Sequence, residues 1–474
     1  MLLEDQDGKT LELLKGYLQN PGPDIVIFDE GHRLKNDKTR SYIKKMGMKT
    51  RRRILLTGTP MENGPMELYH IVEMIAPGFL GEEEVYNEDY GWKIERGKFA
   101  DASETNKRIA REKEVELYEK LKEIMNRKDV EYLSKLIDVN KKEVTITFCE
   151  TEDQSKLFDK AEEEYNSAPP GEKKFSKHFH RLLQITAHPI IVEAKERKRK
   201  HQQNFASCST KLKDPNRSNQ MRALFNIIEA CGKNDEKLVV YTQSIPILDF
   251  IEHKLIIAFG WKKDVDFFRI DGKINAMQRA IHVKEFNNER NKKARLFLFS
   301  IKAGSIGINL IGANRMVLFD HCFNPVHNTQ GWLLLLCSVY IFNLLATYRI
   351  YRIGQKRDVF IYRFITKNSS GDCVLRRQIA KEQQSKRLID GRKNIVSKYS
   401  KKDIETKRGH GNYELITDER IQELENEFND KLLIDVVEKM KDGIIEVSDH
   451  DEHFEETLGI SDNLDLSAEF EDSV

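Results

Sequence analysis

Short apolar runs ending in polar turns set the rhythm of this chain. In the first third, "DIVIF" closes on acidic residues and "RRRILLTGTP" has the same form. Both predict buried parallel strands that end in functional turns. From about Ser103 to Leu136, apolar residues recur at three- and four-residue spacing amid charge, which predicts helix. "KKEVTITFCE" alternates like a strand, "DQSKLFDKAEEEYN" reads as an amphipathic helix, and "APPGEKK" is a turn. From about Lys211 the pattern changes. Helix "MRALFNIIEACG", strand "KLVVYT", helix "PILDFIEHKLI", strand "DFFRI", helix "NAMQRAIHVKEFN" and strand "ARLFLFS" follow in turn, and then strands "RMVLFD" and "VFIYRFI". Such alternation predicts a parallel sheet with helices on both faces. After about Lys401 the text is polar and helical at "DERIQELENEFNDKLLIDVVEKM". From Ser448 onward it is acidic without Lys or Arg, the composition of a disordered tail.

Composition adds bounds. A chain of 474 residues has room for two to four domains. Lys+Arg (78) nearly equal Asp+Glu (77), so bulk charge names no partner. The basic run "EAKERKRKHQQ" reads equally as a nuclear-import or nucleic-acid patch and as a solvated helix end. Six scattered cysteines without a C-x-x-C pair point to reduced thiols in an intracellular protein, not to zinc or a disulfide framework. The acidic N-terminus has no continuous apolar core and is not a signal peptide. One stretch stands apart in a chain of mean hydropathy −0.59: "GWLLLLCSVYIFNLL", residues 331–345. It is short of the roughly 20 apolar residues a membrane span needs, and Asn343 interrupts it.

The candidate chemistry begins at "PDIVIFDEGHRLKN". Asp29 and Glu30 fall at the carboxyl end of a predicted strand, the edge of an open α/β sheet where ligands bind. One carboxylate of such a pair can hold Mg²⁺ through water while the other orients or deprotonates an attacking water, and His32 can sense a γ-phosphate. The alternative is a plain acidic turn after a strand. "LTGTPMEN" then follows a second strand, with the hydroxyls of Thr57 and Thr59 in its turn.

DEGH followed by TGTP resembles motifs II and III of helicase-like ATPases. Later segments resemble the same series in order: "KLVVYTQSIPILDFIE" motif IV, "RIDGKINAMQRAIHVKEFN" the block after it, "LFSIKAGSIGINLIGANRMVLFDHCFNP" motif V, and "ATYRIYRIGQKRDVFIYRFI" motif VI. The chain is thereby identified as similar to the Swi/Snf-type DNA translocases, on the ATRX-like branch with the recombination-repair translocases as neighbours, over about residues 10–395. The resemblance implies an α/β fold of two RecA-like lobes sandwiching ATP with Mg²⁺, the first lobe incomplete and helical insertions between the lobes. Its divisions are residues 1–90 for the first lobe, 91–211 for the helical insertion and linker, 212–400 for the second lobe, and 401–474 for the tail. Asp29 and Glu30 become catalytic, with Mg²⁺ held at Asp29 through water; Arg349 and Arg352 become arginine fingers. Gln355, Gly307 and His32 would lie at the nucleotide, and Thr57, Thr59, Ser300, Lys302, Gly304 and Asn309 would contact DNA or couple it to ATP. The implied partners are double-stranded DNA and chromatin or nucleosomes, with no membrane, and the implied compartment is the nucleus.

The chain departs from that family in three places. A Walker A loop, G-x4-G-K-[ST], is required upstream of DEGH; "DQDGKT" fails because position 3 is Leu3 and no apolar strand precedes it. The block "YNEDYGWKIERGKFAD" lacks the family's N-P-I. Motif VI is split: removing the fifteen residues 331–345 rejoins "HNTQ" to "ATYRIYRIGQ" and restores the pattern. The expectation is a truncated form of a full translocase, with a degenerate DNA- or chromatin-binding product as the alternative. The insert is expected to be a translated intron or splicing artefact.

Overall fold

The computed structural model describes residues 17, 22–31, 49–58, 60–61, 64–128, 132, 134–169, 175–199, 214–300, 308–320, 346–392, 395–405 and 413–455. Two compact units divide the chain. The first comprises Met1–Arg127, Ile379–Lys401 and Phe454–Val474; the second comprises Lys128–Gln378 and Lys402–His453.

In the first unit, β1 (Val26–Phe28) and β2 (Arg53–Leu55) pair in parallel, with Phe28 opposite Leu55. The expectation that these strands are buried is not met. Ile25 and Ile27 are 49% and 58% exposed, and Ile54 and Leu56 are 44% and 51% exposed. Two strands cover one face with helix α1 (Pro65–Ile75) and leave these alternate side chains on the other. Helix α2 (Glu104–Leu121) begins at an N-cap, Ser103, which accepts the Asn106 N–H. It ends fifteen residues before Leu136, in turns at 122–124, with Ile124 and Met125 still packed against the cluster that holds Leu117 and Leu121. Those leucines pack with Tyr69, Tyr86, Ile94 and Leu388.

The second unit is a seven-stranded sheet. β3 is Lys141–Phe148, followed by helices α3 (Glu152–Ser167), α4 (Phe175–Ala187), α5 (Pro189–Arg199) and α6 (Asn219–Lys233). Then come β4 (Leu238–Thr242), α7 (Ile245–Phe259), β5 (Phe267–Ile270), α8 (Ala276–Asn287), β6 (Leu296–Ser300), β7 (Arg315–Leu318) and β8 (Val359–Thr366). Helix α9 is Ser370–Ile389; α10 (Asp418–Phe428), α11 (Lys431–Lys439) and β9 (Ile444–Asp449) complete the order. The strands lie β5-β6-β4-β7-β8-β3-β9, parallel except for β9. Every residue of β4, β6 and β7 is buried, as a strand covered on both faces requires. One face packs under α6, α7, α10 and α11; the other holds Tyr241, Phe297, Phe299, Ala346 and Ile350.

Two further features differ from the sequence expectation. β3, within the 91–211 region read as insertion and linker, pairs with β8 along all eight residues. The acidic stretch assigned to a disordered tail begins inside the sheet: Ser448 lies opposite Thr145, and His450 donates its backbone N–H to the Glu143 carbonyl. Ile444 and Val447 supply the buried side chains that composition had outweighed. Residues 456–474 lie outside the described residues, as do 331–345. Among the described residues no helix is long and apolar enough to cross a membrane.

Candidate functional site

β1 and β2 run in register, so their turns emerge side by side at the carboxyl edge. Leu56 donates its N–H to the Phe28 carbonyl (2.8 Å), and Gly31 donates to the Leu56 carbonyl (2.9 Å). This brings Asp29 and Glu30 alongside Thr57. Asp29 is exposed, and its Oδ1 accepts the Glu30 N–H at 2.9 Å. Glu30 is half-buried in the left-handed region, φ 52°. Gly31 has no room for a side chain: a Cβ there would fall 2.1 Å from Leu55 Cγ. The glycine of DEGH is thus matched to the leucine that precedes TGTP. An exposed carboxylate with one oxygen engaged by a backbone donor suits a water-mediated Mg²⁺ contact. Among the described residues no group of three or more His, Cys, Asp or Glu side chains gathers around a cation position. His32 and Thr59 lie outside the described residues.

In the second unit the strand order reverses around β4, which is flanked by β6 and β7. In open α/β sheets ligands bind outside the carboxyl ends at such a switch point. Thr242 and Ser300 are register partners there, and Ser300 is buried at 2% exposure. Lys302, Gly304 and Gly307 lie outside the described residues. The chain resumes at Ile308, where the expected motif V and motif VI segments are tied together. Arg349, 8% exposed, donates from Nη1 to the Ile308 carbonyl at 3.3 Å, and Leu310 N–H donates to the Arg349 carbonyl at 2.9 Å. Arg352, three residues on, is exposed.

Gln355 sits inward. Its Nε2 donates to the Ala313 carbonyl (2.8 Å), the Ile350 carbonyl (3.1 Å) and the Ile311 carbonyl (3.4 Å). Its Oε1 accepts the N–H groups of Lys356 and Arg357. The amide expected at the nucleotide is here an internal fastener between 308–313 and 349–355. Asn309 is half-buried, and its Oδ1 is buried without a hydrogen-bond partner.

Three contributors carried no signal strong enough to single them out. Asn287, the last residue of α8, donates from Nδ2 to the Asn309 carbonyl (2.8 Å) and accepts the Gly312 N–H (2.9 Å). Gly312 must be glycine, since a Cβ would meet the Phe286 carbonyl at 2.7 Å. The "EFNN" that closes α8 was the available clue. Tyr241 places a buried hydroxyl without a hydrogen-bond partner toward Arg349; burial raises its pKa and the guanidinium opposes that. Asp320, just past β7, is buried. Its Oδ2 accepts from Thr242 Oγ1 (2.5 Å) and its Oδ1 from Gln243 N–H (2.9 Å). Burial pushes its pKa up to about 6 against those two bonds.

Sequence comparison sets these features in context. The profile described as "SNF2-related domain" matches residues 12–220, and that described as "Helicase conserved C-terminal domain" matches 219–341. The chain is 26% identical to the "Transcriptional regulator ATRX homolog" of Drosophila melanogaster, covering 84% of this chain and 37% of that protein. It is 30% identical to a "DNA repair and recombination protein RAD54-like" of Drosophila yakuba, covering 80% of this chain and 47% of that one. The chain therefore spans less than half the length of these curated relatives. A solved "SWI2/SNF2 ATPase core in complex with dsDNA" of Sulfolobus solfataricus is 21% identical, covers 82% of this chain and 73% of its own, and superposes with a TM-score of 0.38.

Proposed function

The chain is built of an SNF2-related domain followed by a helicase conserved C-terminal domain, and from that premise we propose that it is the motor portion of an ATP-driven translocase on double-stranded DNA, working on chromatin or in DNA repair in the nucleus. The observation that carries the proposal is the in-register pair β1 and β2, which sets Asp29–Glu30 beside Thr57. The tie between Ile308–Leu310 and Arg349 adds the second set of expected residues.

Under this reading Asp29 binds Mg²⁺ through water and Glu30 orients the attacking water at the γ-phosphate of ATP. Mg²⁺ supplies neutralising charge at the β- and γ-phosphates when bound. Arg352, exposed, offers its planar fork to phosphate oxygens; Arg349 is buried and donates to the Ile308 carbonyl, which fixes its guanidinium beside the motif V segment. Ser300, Lys302, Gly304 and Asn309, at the end of β6 and after it, meet one strand's phosphates, with little base readout.

The 474 residues contain no G-x4-G-K-[ST] loop. The polypeptide as written is accordingly proposed to bind DNA without turning over ATP. The second reading is a non-catalytic DNA- or chromatin-binding protein. Titration of a fluorescent duplex over a range of salt tests both. Expected is sequence-independent binding that weakens steeply with salt, with no DNA-stimulated ATP hydrolysis. No binding at low salt would sink both readings, and hydrolysis by this polypeptide would remove the second.

A further inference from the structure

A row of exposed cations without carboxylate partners raises the local potential and attracts anions. The strands of the second unit run parallel except β9, so the amino ends of the others share one edge. It is the edge opposite the one where β4 and β6 end at Thr242 and Ser300. Lys262 precedes β5, Arg290, Lys293 and Arg295 precede β6, and Arg357 precedes β8. All five are exposed, and none forms an ion pair among the described residues. The carboxylates of the same loops are already engaged. Asp235 pairs with Lys292, Glu236 with Arg315 and Glu289 with Lys356. Asp264 faces His282 at 3.4 Å, and Asp266 and Asp358 accept the N–H groups of Lys262 and Asn140, each at 2.8 Å.

Contacts join these loops into one surface. Arg295 donates its N–H to the Asp266 carbonyl at 2.9 Å, and its guanidinium lies 5.7 Å over the Trp261 ring. Lys292 pairs with Asp235, whose carbonyl accepts from Arg357 Nη1 at 3.5 Å. The backbone between them is pinned. Lys237 Nζ donates to the carbonyls of Phe286 (2.6 Å) and Asn288 (3.1 Å). Asn288 Oδ1 accepts the Arg290 N–H (3.0 Å), and Asn291 Oδ1 accepts the Ala294 N–H (3.3 Å). The cations are thus carried on loops set before a partner arrives, which lowers the ordering cost of binding.

From β5 to β8 the row crosses four strand spacings, roughly 19 Å. That is about the rise of five phosphates along one strand of B-DNA. A linear row suits a linear polyanion of regular charge, and three of the five side chains are arginines, whose planar fork matches phosphate oxygens. We propose that the amino edge of the second unit's sheet is a further nucleic-acid surface, on which Lys262, Arg290, Lys293, Arg295 and Arg357 track the phosphates of a duplex without reading its bases. It stands apart from the contacts proposed above for Ser300, Lys302, Gly304 and Asn309, and does not rest on them.

The test uses the full 474-residue chain with two readouts. The first is acetylation of lysines with and without a DNA duplex, read by mass spectrometry. Duplex should protect Lys262 and Lys293 and leave Lys156 and Lys431, exposed on α3 and α11, labelled as before. The second is anisotropy of a fluorescein-labelled duplex over a range of salt. The combined variant Arg290→Gln, Arg295→Gln, Arg357→Gln should bind about tenfold more weakly at low salt, with a slope of log affinity against log salt shallower by about 2 to 3. The control Lys156→Gln, Lys160→Gln, Lys431→Gln removes the same charge elsewhere and should bind like wild type. Lys262 and Lys293 labelled equally with and without duplex would overturn the proposal, and that arm needs no variant. Equal weakening by variant and control would also overturn it, since net charge alone would then explain the loss. Protection by poly-glutamate but not by duplex would assign the surface to an acidic polypeptide and overturn it as well. Protection of Lys302 alone would leave the earlier DNA reading standing and remove this one; protection of Lys262 and Lys293 without Lys302 would do the reverse.

Discussion

At the scale of single residues, the glycine of DEGH has a steric cause. Gly31 faces Leu55 so closely that a Cβ would lie 2.1 Å from its Cγ. Gly31→Ala should therefore lower the stability of the first unit by about 1–3 kcal/mol, as overpacking does, and pairing it with Leu55→Ala should restore much of the loss. An unchanged urea midpoint for the single variant would refute that packing argument. Gln355 makes a parallel case. Gln355→Ala leaves the Ala313 and Ile350 carbonyls without their donor and should cost about 1–3 kcal/mol. Faster hydrogen exchange across 308–313 is the expected signature; protection equal to wild type would remove the fastening role. Asp29, Glu30, Thr57, Arg349 and Arg352 could be named as candidates because each lies in a short local segment that resembles a family motif. Asn287, Tyr241 and Asp320 were not, because each acts on a partner 22 or more residues away. No local spacing records such a pairing.

At the scale of elements, β9 carries a pH dependence. It lies against β3, where Glu143 is buried with Lys141 and Arg363, and His450 follows the strand. Burial, helped by Arg363, holds His450 well below the ordinary histidine range; Lys141 and Arg363 overcome the burial of Glu143 and hold its carboxyl well below its ordinary value. His188 is similarly pushed down to about 4 by burial. For both histidines the unfolded chain takes up the proton first. Their stability is whole above about pH 6.5 and drains as pH falls. His188 alone accounts for about 2 kcal/mol between pH 6.5 and 5. Asp320 works in the opposite sense: its raised pKa makes the folded chain gain stability as pH falls through about 6. The second unit should thus lose stability from pH 7 to 5, and a His188→Gln, His450→Gln double variant should lose less or gain. A double variant as acid-sensitive as wild type, by urea unfolding at the two pH values, would contradict this account. The strand itself was readable as an apolar "GIIEV", but its acidic continuation hid it. What made it a strand was an open edge on β3, which lies about 300 residues earlier in the chain.

At the scale of the whole molecule, two properties remain to be measured. Each phosphate neutralised adds about −0.9 to the slope of log affinity against log salt. A chain whose Lys+Arg and Asp+Glu counts nearly cancel should still show a steep slope, since its DNA contacts are local. A flat salt response would argue against phosphate tracking. Deleting 331–345 should raise soluble yield, because it removes the most apolar stretch and rejoins "HNTQ" to "ATYRIYRIGQ". A deletion form that is less soluble than the intact chain would show that the segment belongs to the fold. The sequence by itself determined the order of α/β elements, the motif series and the chemical types at the site, since strands, helices and motif turns are local patterns of hydrophobicity and spacing. Only the tertiary structure decided that β3 and β9 join the second sheet, that one face of β1 and β2 is exposed, and that Asp320 and Gln355 hold turns from a distance. The reason is physical: sheet pairing, burial and hydrogen bonding depend on which surfaces meet in space, and residues far apart in the chain leave no periodic mark of their meeting.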